Sequence, residues 1–184
     1  MGPPLKTGSN KWLFFALSAT AFMILYAYFV MGHLSECYVT EEGPNAIGLM
    51  FGYSAQDVLA FLNARSNEQL ICYTRFIRIW DTAFPVIYTL MHVTWIIYLF
   101  KRWKLVVVLP VLHMIADWVE NNVEIMIVET YLNSGKVAEP LVSLGSSLTV
   151  TKWILSIVIY LIILVTIGLK LKNYFGKKSA AKEN

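Results

Sequence analysis

The chain has 184 residues, of which 57% are hydrophobic and 15% charged, with a net charge of +3. So much apolar surface on one domain's worth of chain excludes a water-soluble globule and points to a single membrane domain spanning residues 1–184. The basic excess sits in short segments beside apolar runs. It therefore marks topology and attraction to membrane lipid headgroups, and gives no reason to expect nucleic acid.

In chain order, residues 1–10 (MGPPLKTGSN) are polar and expected to be mobile. A first span is expected at about 12–31, because Trp12 to Met31 carries no formal charge and roughly 20 apolar residues cross a bilayer core. It is aromatic and lacks a small-x-small cleavage site, so it reads as a retained signal anchor. Cys37 follows it as a lipid-attachment cysteine would, but Glu36 stands where a small residue is needed.

Residues 32–76 form the expected outer loop. Ser54, with Asp57 three positions on, signals the start of a short amphipathic helix with Val58, Leu59, Phe61 and Leu62 on one face. Such a helix is expected on the mouth of the bundle, either as an interfacial helix, the commoner case, or as the floor of a lid. Cys37 and Cys72 stand at the two ends of this loop. A disulfide there is chemically permitted, contributing about 3.8 kcal/mol for a loop of roughly 36 residues. Two free cysteines packed at helix ends are the equal alternative. No Cys-x-x-Cys pair suggests redox catalysis.

The second span, about 77–100, is interrupted by Arg78, Asp81 and His92, and a basic turn with Lys101, Arg102 and Lys104 follows. The third, about 103–128, carries His113, Asp117, Glu120 and Glu124, an unusual load for a span. The fourth, about 148–169, is apolar apart from Lys152, and a Lys-rich tail at 177–184 is expected to be mobile. Basic residues flank the first span's start, the second connection and the last span's end, whereas the other connections are acidic. The fold class is thus an all-α bundle of four transmembrane helices with both termini cytoplasmic. Pro85 and Pro110 are expected to kink the middle spans.

His113, Asp117, Glu120 and Glu124 recur at intervals of four, three and four, which places them on one narrow arc bordered by Asn121. Asp81, Pro85, Tyr88 and His92 have the same spacing on the second span. In a tight antiparallel hairpin, positions whose numbers share one sum lie at one depth, so His92 pairs with His113, Tyr88 with Asp117, Pro85 with Glu120 and Asp81 with Glu124. The resulting ladder, roughly 16 Å long, implies a polar cavity open to the outside. Thr149, Lys152, Trp153, Ser156 and Tyr160 share a face that can close it. Lys152 is expected to meet Glu120 or Glu124, and Arg78 to answer Asp81, since a lone charge in hydrocarbon costs at least about 2.5–3.5 kcal/mol.

Three chemistries suit such a stripe. His92, His113 and Asp117 are weak candidates for metal ligands, without an HExxH or paired Glu-x-x-His motif. Asp117 and Glu120 are candidate acid/base or binding carboxylates, with His92 and His113 exchanging protons. A chain of acids and histidines also suits proton or ion passage. The structural reading, a hydrogen-bond network that fixes helix packing, stands beside them at equal weight. Candidate ligand contacts are Asp81, Tyr88, Asn121, Glu124, Lys152 and Arg78, with Asp81 and Arg78 as a gate. Trp12, Trp103, Tyr131 and Trp153 read as interfacial belt residues.

FGYSAQDVLAFL (51–62), Asp81-Thr-Ala-Phe-Pro85, PVLHMIADWVEN (110–121) and SLTVTKW (147–153) together resemble a family of small four-span membrane proteins of unassigned function. The resemblance covers about 48–160 and implies the four-span layout, with no activity attached. The leading expectation is binding or modification of a lipid-like small molecule in the polar pocket. A non-catalytic accessory or scaffold subunit is the competing class. The sequence specifies no cofactor or protein partner, and suits a bacterial inner membrane or a eukaryotic endomembrane or plasma membrane alike.

Overall fold

A computed structural model of the protein describes residues 10–41, 44–100 and 103–180, with side chains through residue 176. The expected mobile ends at 1–9 and 181–184, Glu42, Lys101, Arg102 and the Lys177 and Lys178 side chains lie outside the described residues. The described chain is all-helical, with no strand among the described residues. We label the helices α1 (Asn10–Cys37), α2 (Ala55–Asn63), α3 (Asn67–Leu99), α4 (Val108–Ser134, preceded by the turn Trp103–Val106) and α5 (Glu139–Ala180).

Three of these, α1, α3 and α5, are long and apolar enough to cross a membrane. Helix α4, at 27 residues, is as long as a span requires, but its acidic residues lower its hydropathy. Those residues are not spread around the helix. His113, Asp117, Glu120, Asn121 and Glu124 are buried, while Val111, Ile115, Val119 and Met126 are exposed on other faces. The outward surfaces of α1 and α5 are similarly apolar, from Phe14 to Phe29 and from Ile154 to Leu169.

The helices overrun the expected spans. α3 begins at Asn67 and α5 at Glu139, with the backbone helical into the expected tail as far as Ala180. Pro140 in the first turn of α5 lacks an N–H that would have no partner there anyway. Gly135 ends α4 at φ 67°, the left-handed turn that glycine adopts without a Cβ penalty.

The extra turns build a headpiece. Val58, Phe61 and Leu62 of α2 share one buried core with Leu70 and Tyr73 of α3, Val128 of α4 and Val142 of α5. The α2 helix is therefore packed onto the bundle by one face, and Leu59, expected on its apolar face, is exposed. Its start follows the capping logic: the Ser54 backbone N–H and hydroxyl both donate to Asp57 Oδ2 at 2.7 Å, and Ser54 Oγ accepts from the Asp57 N–H. These bonds favour the ionised carboxyl and hold it below its ordinary range. The cap is thus complete above about pH 4 and weakens as acid protonates Asp57 below that point. Protection of the first α2 amides, corrected for intrinsic exchange, should hold down to about pH 4 and fall as the pH drops below it; protection that persists well below that point would contradict this.

Arg65 staples the lid. Only 7% exposed, it lies over the Phe61 ring at 3.8 Å. It donates to the carbonyls of Phe61 (2.7 Å), Tyr38 (2.8 Å), Pro44 (2.9 Å) and Asn45 (3.2 Å). Loop carbonyls without helical partners are satisfied this way by one five-donor guanidinium. A disulfide joins Cys37 at the end of α1 to Cys72 in α3, with Cα atoms 6.3 Å apart.

Below the headpiece, Ala16 and Thr20 let α1 approach α3, and Trp95 Nε1 donates to Thr20 Oγ1 at 2.9 Å. Both helices contain π-helical turns, Tyr26–Gly32 and Ile77–Asp81. The second lies just before Pro85, whose missing N–H leaves the Asp81 carbonyl without its helical partner. Side chains take up neighbouring carbonyls: Tyr26 donates to Trp80 O at 2.8 Å, Trp118 to Thr82 O at 2.9 Å and Thr82 to Ile77 O at 2.8 Å. At the second turn, neighbouring side chains thus supply donors where the helix is irregular.

Candidate functional site

The common register expected for α3 and α4 is present. Tyr88 Oη donates to Asp117 Oδ2 at 2.8 Å, and the His92 and His113 rings lie 6.1 Å apart. Tyr88 also stacks on His113 at 4.5 Å. From α5, Lys152 Nζ donates to Glu120 Oε2 at 2.5 Å and lies 3.7 Å from Asp117 Oδ1, while Thr149 donates to Glu120 Oε1 at 2.6 Å. Glu120 is fully buried, with both oxygens engaged. Glu124 does not reach Lys152 as a pair; its Oε2 accepts the Tyr73 hydroxyl.

The ladder is not one open channel. Its wider part is a cavity of about 240 Å³ between all four long helices, with Tyr88, His92, His113, Asp117 and Lys152 toward one side and Met23, Phe84, Trp153, Ser156 and Tyr160 completing the wall. A second cavity of about 80 Å³ holds Asp81, Glu124 and Tyr73 beneath Gly48. Glu120 lines neither, and its pairing with Lys152 stands between them. At the Glu124 end of the stripe the headpiece loop lies over the carboxylates.

Gly48 makes that cover close. A Cβ at this position would stand 2.5 Å from Glu124 Oε1, 2.9 Å from Glu120 Oε1 and 3.3 Å from Lys152 Nζ. The Gly48 carbonyl accepts Trp153 Nε1 at 3.3 Å, and Tyr53 N–H donates to Ser146 Oγ at 2.9 Å nearby. Gly48→Ala is expected to lower thermal stability by about 1–3 kcal/mol through overpacking against the buried Glu120–Lys152 pair and Glu124. An unchanged unfolding curve would show that the loop does not press on the carboxylates.

Other candidates move to new roles. Arg78 does not gate Asp81. It pairs with Glu129 at 2.5 Å, with both side chains about half exposed, so the guanidinium stays solvated. Asn121 is buried beside the stripe and lines neither cavity, and Glu120 is a structural partner of Lys152. Trp153 lines the cavity and anchors the lid through the Gly48 carbonyl. Among the described residues no three His, Cys, Asp or Glu side chains form a metal-binding group. The oxygens of Asp117 face Tyr88 and Lys152, and His113 is held flat against Tyr88.

Two groups remain unsatisfied on the cavity wall. His92 is 1% exposed, and neither of its ring nitrogens has a hydrogen-bond partner among the described residues; the same holds for His113 Nδ1. Tyr160 packs its ring 4.9 Å from His92 and is itself 37% exposed, so this wall residue also faces the outer surface. The Tyr160 hydroxyl meets Met23 Sδ across the α1–α5 seam at 4.0 Å.

Comparisons with protein families, with curated proteins and with solved structures return no match.

Proposed function

We propose that the chain is a four-span membrane protein with both termini in the cytoplasm, and that the cavity beneath its headpiece binds a lipid-like small molecule. The fourth span would be α4, whose exposed Val111, Ile115, Val119 and Met126 suit acyl chains while its charged residues turn inward. A Cys37–Cys72 bridge agrees with a headpiece outside the cytosol, because such bonds persist in oxidising compartments.

The observation that carries the reading is the composition of the cavity wall. Aromatic and aliphatic side chains make up one part, and a few converging polar groups with unused hydrogen-bonding capacity make up the other. Binding sites combine these two features, whereas packing glue satisfies its own polar atoms. Ion passage has less support, since the Glu120–Lys152 pair and the Gly48 cover interrupt the stripe. A purely accessory role leaves the imidazoles unexplained.

Mass spectrometry of gently solubilised protein tests this reading. Wild type should release a small amphipathic species, and Ser156→Phe, which narrows the cavity from its α5 wall, should release about tenfold less at equal folded yield. Equal recovery from both proteins, or none from wild type, would overturn the proposal.

A further inference from the structure

The two orphaned imidazoles narrow the chemistry of the ligand's polar end. In neutral form, each imidazole offers one N–H donor and one bare acceptor, whichever tautomer it holds. His92 and His113 lie side by side on the cavity wall, both buried, with three ring nitrogens lacking partners among the described residues. The complement to such a pair is a group that donates and accepts at a single atom.

From this we infer that the ligand is an uncharged amphiphile whose hydroxyl group sits between His92 and His113, accepting from one ring and donating to the other. An ammonium has no acceptor to offer, and on this wall it would meet the Lys152 ammonium while the Asp117 oxygens already face Tyr88 and Lys152. A carboxylate would add a third negative group beside Asp117 and Glu120 with one lysine to share. A hydroxyl avoids both conflicts and leaves the ion pair intact.

The dimensions agree. About 240 Å³ takes a headgroup and the first carbons of a chain. The remainder would pass between Tyr160 and Met23, whose 4.0 Å contact across the α1–α5 seam would have to part, into surrounding lipid. Entry is then lateral, from the bilayer, and does not require the headpiece to lift.

This inference rests on the cavity being a binding site, and the test separates the two. Binding of radiolabelled n-dodecanol to the solubilised full chain is competed with dodecyl methyl ether, dodecylamine and dodecanoic acid. The ether keeps the chain and the acceptor but loses the donor. It should compete about tenfold more weakly than unlabelled dodecanol, and the amine and acid no better than the ether. His92→Phe, if its unfolding matches wild type, should lower dodecanol affinity about tenfold and abolish the alcohol–ether difference. If that variant misfolds, the wild-type competition decides alone. An ether equal to the alcohol, or an amine or acid that outcompetes it, overturns the hydroxyl assignment and leaves the cavity reading standing. If none of the four binds, both fall.

Discussion

Lys152→Met is expected to destabilise the folded protein by about 3–5 kcal/mol, because it leaves the Glu120 carboxylate buried without its cation. Glu120 is 0% exposed and its remaining partner would be the Thr149 hydroxyl. Methionine nearly matches the volume of the lysine stem, so lost packing adds little. Glu120→Gln alone should cost less, since Lys152 retains Asp117 at 3.7 Å. Combining the two substitutions should recover most of the loss, as removal of a whole buried pair is milder than removal of one member. Unfolding of the three variants in one detergent checks all of this. Two single variants that each match wild type would show that the pair is solvated, and with it the cavity wall.

Opening the Cys37–Cys72 bridge should cost up to about 3.8 kcal/mol by the loop-entropy relation, with about 2–4 kcal/mol expected in practice. The cysteines are 35 positions apart, and the intervening segment contains the cover over Glu120 and Glu124 as well as α2. Loss of the tether therefore loosens the lid first, and through the core that α2 shares with α3, α4 and α5 it also reaches the upper ends of the long helices. Melting under reducing and non-reducing conditions measures the effect. Free-thiol labelling of unreduced protein provides the control: two reactive thiols, or no change in melting on reduction, would remove the bridge from the account.

The long helices and their polar register were legible because helices have a period. Four residues at intervals of four, three and four fix a face, and a short turn fixes depth, which is why Tyr88 meets Asp117 and Lys152 meets Glu120. Loops have no such period, so the path of 44–54 over the stripe has no signal in the sequence. Gly48 looks like any loop glycine until the carboxylates beneath it are known. Arg65 carried a faint signal as a basic residue in an acidic segment directly before the capping Ser66. Trp153 illustrates the reverse difficulty: a tryptophan near a span end is ordinarily interfacial, and only the neighbouring loop carbonyl makes it an anchor. Arg78 was misplaced because sequence proximity suggested Asp81, whereas a solvated partner, Glu129, was available on the next helix.

Labelling in the native bilayer by a diazirine-bearing fatty alcohol, followed by peptide mapping, tests the claim that a lipid-like molecule occupies the cavity. Adducts are predicted to concentrate on Met23, Phe84 and Tyr160 and to be displaced by excess dodecanol. Adducts spread over the exposed Leu161, Leu164 and Val165 alone, unaffected by competitor, would contradict it.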